Sequence, residues 1–156
     1  MLALAACGEE DAPMEAVTVG GCGGTLPEQD PHADLTLTGA FPERVRTERS
    51  TVEGTVTITN ATSRRIDGLA ASQPDVYVTQ GGRIVAEPLP SDDVGLALEL
   101  APGAARDFSA TGSLRGCSDQ QPLPPGRYEL HAVLRVGEAT AAGGPWPLEI
   151  ARGGSP

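Results

Sequence analysis

The sequence predicts an all-β fold, an immunoglobulin-like antiparallel β-sandwich of about seven or eight strands. Three observations carry that prediction. Apolar residues alternate with polar ones over short runs, and Gly, Pro, Asn and Ser break those runs at close intervals. No helical period of 3.6 is sustained over as much as about ten residues anywhere in the chain. At 156 residues the chain makes one domain with a short appendage and is long enough to bury a real core.

Each strand can be justified in turn. Leu35 and Leu37 start the series with strict alternation. From Thr51 to Thr59, Val52, Val56 and Ile58 share one face and threonines the other. Val76-Tyr77-Val78 and Arg83-Ile84-Val85 flank Gln80-Gly81-Gly82, which reads as a hairpin turn. Leu96, Leu98 and Leu100 repeat the pattern. The clearest strand is Tyr128 to Val136, in which Tyr128, Leu130, Ala132, Leu134 and Val136 are expected to face the core. Trp146, Leu148 and Ile150 define the last strand, where Pro145 and Pro147 remove two ladder donors. That strand must therefore lie at an edge or carry a bulge.

The formal net charge is −10, there is no lysine, and all 11 basic residues are arginine. Binding nucleic acid through phosphates needs a basic surface, so that function class is excluded, and the acidity is read as a source of solubility. Aromatic residues are 3% of the chain, which leaves only Trp146, Tyr77, Tyr128 and two phenylalanines for stacking on sugars or bases. No apolar run approaches the roughly 18 residues needed to span a bilayer as a helix, so membrane attachment would be covalent or peripheral. The lack of lysine beside many Ala, Gly, Pro and Arg looks like the codon bias of a GC-rich bacterial genome.

Leu4-Ala5-Ala6-Cys7 resembles the lipobox of bacterial lipoproteins, in which an apolar residue and two small ones precede a cysteine that takes a diacylglyceryl thioether. Small residues suit a signal peptidase that holds an extended backbone just before the cut. Gly8, Glu9, Glu10, Asp11 and Pro13 follow with the composition of a solvated tether. This reading makes residues 1–13 a lipobox remnant and acidic tether, residues 14–151 the sandwich and residues 152–156 a flexible tail. It puts the protein outside the cytoplasm, lipid-anchored to the bacterial cell membrane through Cys7. A signal peptide needs an apolar stretch of about 7–15 residues, more than MLALAA supplies, so the reading requires an upstream start. Otherwise Cys7 is a free thiol on an N-terminal coil. Three cysteines leave one unpaired in an oxidising compartment; acylation of Cys7 accounts for it, and Cys22 and Cys117 are then expected to pair. A metal site is the weaker alternative, because neither cysteine sits in a CxxC or has a histidine at ligand spacing.

The stretch from Thr55 to Val136 resembles the bacterial domain named after the intracellular proteinase inhibitor of Bacillus. The resemblance is carried by Val56-Thr57-Ile58-Thr59-Asn60-Ala61-Thr62, Ser72-Gln73-Pro74-Asp75-Val76-Tyr77-Val78, Leu100-Ala101-Pro102-Gly103 and Leu123-Pro124-Pro125-Gly126-Arg127-Tyr128-Glu129-Leu130. Within the last motif, Pro-Gly makes a tight turn, and Tyr128 is expected to seat its ring in the core with its hydroxyl at the corner. The family's tryptophan after the hairpin glycine and its later phenylalanine are replaced here by Ala86 and by Val94 or Leu96. The resemblance implies a fold first and, as an alternative function, proteinase inhibition.

Glu28, Asp30, His32 and Asp34 alternate in a way that would put oxygens and an imidazole on one side of a loop. No calcium-loop glycine or histidine pair supports a metal there, and the stretch reads as a solvated connector. His131 falls on the outward face of its strand, and no nucleophile stands in a setting such as G-x-S-x-G. Asp92 and Asp93 lie in a Pro-Ser-rich loop and read as turn formers. No catalytic residue, metal ligand or cofactor is assigned. The candidate interaction loop is Leu114, Arg115 and Gly116, beside Cys117. An exposed, stiffened segment there would offer Arg115 to an acidic protease pocket, or it is simply an inter-sheet crossover. The leading expectation is a binding module for an unknown protein or envelope component; the alternative partner is a protease.

Overall fold

The computed structural model describes residues 21–27, 29–30, 32–92 and 94–153. Among them the ordered elements are ten strands: β1 (Leu35–Ala40), β2 (Arg44–Arg46), β3 (Thr51–Asn60), β4 (Ile66–Ala71), β5 (Asp75–Gln80), β6 (Arg83–Ala86), β7 (Gly95–Leu100), β8 (Ala105–Ser113), β9 (Gly126–Val136) and β10 (Ala139–Ala151). No helix among the described residues is long and apolar enough to cross a membrane. Cys7 and the proposed tether lie outside the described residues.

The strands form an immunoglobulin-like sandwich of two sheets. The smaller runs β1-β3-β8, all antiparallel. In the larger, β10 pairs with β9, β9 with β5 and β5 with β6, while β2 adds to the outer side of β10 in parallel. These orders match the A-B-E and G-F-C-C′ sheets of immunoglobulin domains. The remaining strands, β4 and β7, pair with each other and join the larger sheet at the end of β9 through Ala70 and Val136.

Inward alternation fills the space between the sheets. Val52, Val56 and Ile58 from β3, Leu35 and Leu37 from β1, and Phe108 and Ala110 from β8 meet Val76, Val78, Leu130, Ala132, Leu134, Leu148 and Ile150 in one core. All five residues expected to face inward on β9 are buried, Tyr128 and Val136 at 4% and 5% exposure. The Tyr128 hydroxyl donates to the Pro124 carbonyl oxygen at 2.6 Å, so the ring is in the core and its polar tip closes the corner. Gly81 and Gly82 form the two-residue turn between β5 and β6, both at positive φ, which that hairpin geometry requires.

Three strands were not legible. In β4, IDGLAA, small residues hide the alternation. In β8, ARDFSATGS, the inward row is Phe108, Ala110 and Gly112, with only one large apolar residue. A side chain on Gly112 would meet Val76 at 2.8 Å, so small size is a packing requirement there. β2 has three residues and is fixed by pairing with β10 rather than by pattern. The last strand carries the bulge expected from its prolines, between Gly143 and Trp146, with a cis bond from Gly144 to Pro145.

Candidate functional site

Residues 21–27 form a strap along the outer edge of β6. Gly23 N donates to Ile84 O at 2.9 Å and Ile84 N to Gly24 O at 2.8 Å, so the strap pairs with that edge like a short extra strand. Arg83 Nη1 reaches Gly23 O at 3.0 Å, and Cys22 N donates to the Glu87 carboxylate at 3.1 Å. Cys22 is joined by a disulfide to Cys117, 95 residues away, with 5.8 Å between Cα atoms. The bridge does not link the two sheets, as the bond of antibody domains does; it ties the strap to the crossover between β8 and β9.

Beyond β6 the strap borders the outer face of the larger sheet. Leu26, Pro27 and Gln29 stand with Thr79, Glu129, His131, Val133 and the Gly143–Pro145 bulge around a cleft of about 280 Å³. Thr79 is 1% exposed, and its hydroxyl shares a hydrogen bond with His131 Nε2 at 3.0 Å. A Cβ on Gly144 would lie 3.2 Å from His131 Nδ1, so the imidazole rests directly against that glycine. Glu129 is 3.9 Å from Nε2, too far for a hydrogen bond. Burial pushes the His131 pKa below its ordinary value, and the Glu129 charge only partly offsets this. The site thus holds a neutral imidazole edge between apolar walls.

The sequence placed His131 on the outward face, and it is there, but half-buried rather than solvated. The strap that borders the same cleft gave no signal in the sequence. Cross-strand pairing of Tyr77 with His131 and Thr79 with Glu129, which lines up the outer row, also needs the fold.

Of the predicted interaction loop, only Arg115 is exposed. Leu114 is 2% exposed and Gly116 is buried. The segment folds on itself: Gly116 N donates to Gln121 O, Leu123 N to Leu114 O, and Arg115 pairs with Pro122. The Arg115 guanidinium donates to Gln120 O at 3.1 Å. A run of exposed, extended main chain, which would present Arg115 to a protease, is replaced by this compact turn because Leu114 is needed in the core.

The acidic connector is a turn. Asp30 accepts from His32 N at 2.8 Å through its side chain and from Ala33 N at 3.2 Å through its carbonyl. Asp34 lies 3.8 Å from Arg64. Glu28 and Asp93 lie outside the described residues, and Asp92 is exposed. Among the described residues no group of three His, Cys, Asp or Glu side chains could hold a metal.

Asn60 is a residue whose role the sequence did not reveal. It is fully buried where β3 and β8 of one sheet pass into β4 and β7 of the other. Its amide donates to the carbonyls of Arg64, Leu100 and Ala101 at 2.6, 3.0 and 3.3 Å, and its oxygen accepts from Thr62 N and Oγ1 at 2.9 and 2.7 Å.

The class defined by this fold is an immunoglobulin-like β-sandwich with a disulfide-tied strap. No family model and no curated protein matches the chain. Among solved structures it is similar to a β-glucosidase from Listeria innocua in complex with isofagomine, at TM-score 0.44 and 14% identity over 78% of this chain and 16% of that one. It is similar to the CARDB domain of a Pyrococcus furiosus protein in complex with di-metal ions, at TM-score 0.43 and 15% identity over 75% of this chain and 92% of that one. It also matches an alkylpurine DNA glycosylase from Pseudomonas fluorescens, at TM-score 0.43 and 14% identity over 76% and 31% of the two chains. The chain spans about one sixth of the β-glucosidase.

Proposed function

We propose that this chain is a non-catalytic binding module, held outside the cytoplasm on a bacterial membrane by a lipid on Cys7, that engages a protein or envelope component through the cleft on the outer face of its larger sheet. The observation that carries the reading is the cleft itself: concave, walled by Leu26, Pro27, Val133 and Pro145, with Gln29, Thr79, Glu129 and His131 as its polar residues. Such a mixture of apolar wall and few fixed polar groups suits binding. It does not suit nucleophilic catalysis, since the hydroxyl beside the imidazole belongs to Thr79, at 1% exposure. The Cys22–Cys117 bond supports an oxidising compartment. Proteinase inhibition through Arg115 has less support, because the guanidinium is already held by Gln120 O in a closed turn.

Site-specific photo-crosslinking in intact cells tests the reading. A photoreactive residue at Gln29 or Glu129, both at the cleft, should give a discrete adduct, while one at Thr55, exposed on the opposite sheet, should not. Equal labelling from all three positions, or none from the cleft, would contradict it.

A further inference from the structure

The two ends of the disulfide are anchored very differently. The crossover that carries Cys117 is held without it: Leu114 N donates to Ser50 O, Leu123 N to Leu114 O, Gly116 N to Gln121 O and Cys117 N to Val85 O. The crossover is also pinned by Leu114 and Leu123, which are 2% and 6% exposed in the core. Among the described residues, the strap that carries Cys22 has no such anchor in the core. Its hydrogen bonds to Ile84, Arg83 and Glu87 are made by exposed residues of the strap, except Gly24, and Leu26 is only partly buried. The bonds of Arg83 and Glu87 are exposed and have small net worth because water competes for both partners. That leaves the two main-chain bonds to Ile84, itself 1% exposed, as the strap's hold on β6 among the described residues.

We infer that the Cys22–Cys117 bond is a reducible latch, whose opening frees the strap from β6 and so removes one wall of the cleft while the sandwich stays folded. The step is a thiol–disulfide exchange with a dithiol reductant. A thiolate of the reductant attacks Sγ of Cys22, the exposed partner, and Cys117 leaves as a thiolate. The reductant's second thiol then resolves the mixed disulfide. In balance, two electrons and two protons reach the two cysteines, and the dithiol becomes a disulfide. Release has two consequences. Leu26 and Pro27 leave the cleft, so a larger occupant can enter and water reaches His131. The edge of β6 loses its cover, and the N–H and C=O of Ile84 are free to pair with an extended strand of another chain. That the latch controls binding rests on the reading of the cleft given above; release of the strap does not.

Hydrogen exchange on the intact chain tests the latch in the oxidised form, after reduction with dithiothreitol, and in the Cys22→Ser/Cys117→Ser variant. The amides of Gly23 and Ile84 should exchange roughly a hundredfold faster in both unbridged forms, while those of Val56 and Ile58 in β3 keep their protection. Unchanged exchange at Ile84 would overturn the inference. So would equal acceleration at Val56 and Ile58, which would mean that the bond holds the whole sandwich and not the strap. The experiment uses no ligand, so its failure and a failure of the crosslinking test are separate results.

Discussion

Asn60 shows how much of this fold depends on one polar side chain. Where paired strands leave one sheet and enter the other, their carbonyls lose ladder partners inside the protein, and a buried carbonyl without a donor costs free energy. The Asn60 amide supplies donors to Leu100 and Ala101 on one side of the corner and to Arg64 on the other. Asn60→Ala would take the donor from the buried Leu100 carbonyl and remove the part-buried bonds to Arg64, Ala101 and Thr62, and should cost roughly 1–3 kcal/mol of stability. Urea unfolding monitored by circular dichroism measures this directly. A loss under about 0.5 kcal/mol, the level of an ordinary surface change, would contradict the role given to the corner. In the sequence Asn60 was visible only as part of a motif ending a strand. Its partners Leu100 and Ala101 lie some 40 residues on, at |i−j| of 40 and 41, and no local pattern announces them.

At the scale of elements, legibility follows side-chain size. β3, β5 and β9 were readable because large apolar residues alternate with polar ones, and the core uses those residues. β8 was hidden because its inward row shrinks from Phe108 to Gly112, where Val52 and Val76 need the room. The same economy joins β1 to β10: a Cβ on Gly39 would meet the Trp146 ring at 2.8 Å, and one on Gly143 would meet Leu37 at 2.7 Å. Trp146 is packed against Phe41, with ring centroids 5.6 Å apart. The outward face of β9 was unreadable for another reason. Arg127, Glu129, His131, Val133 and Arg135 suggest a solvated face, yet Val133 is 8% exposed and His131 is half-buried in the cleft beside Thr79 and Gly144. This has a pH consequence. The folded pKa of His131 lies below its ordinary value of 6.5, so the unfolded chain binds the proton more readily. The neutral imidazole's contribution to stability is present above the ordinary pKa and is lost as pH falls through the folded one. The fold should weaken as pH falls below the ordinary imidazole value of 6.5, and His131→Gln should flatten that slope, measured as the urea midpoint at each pH. Asp75 works in the opposite sense and at lower pH, because burial raises its carboxyl and acidification relieves the cost. An unchanged slope in His131→Gln would show that burial in the cleft does not shift the ring's titration.

At the scale of the whole molecule, the net charge of −10 and the strap-and-sandwich arrangement describe an acidic β-sandwich domain, and a bond such as Cys22–Cys117 persists in an oxidising setting. In the function proposed above, the address of that domain rests on Leu4-Ala5-Ala6-Cys7. The fold class was legible because alternation and turn residues are local signals. The cleft was not, because it is assembled from a strap, two central strands and a bulge far apart in sequence. The central claim is the proposal that this domain works outside the cytoplasm while tethered to a membrane, and membrane fractionation of cells expressing the gene from its native locus tests it most directly. The wild-type protein should sediment with membranes, because two acyl chains on one cysteine anchor stably. Cys7→Ala should move it to the soluble or secreted fraction with its fold intact. A wild-type protein that stays soluble and carries an unmodified Cys7 thiol by mass spectrometry would contradict the account.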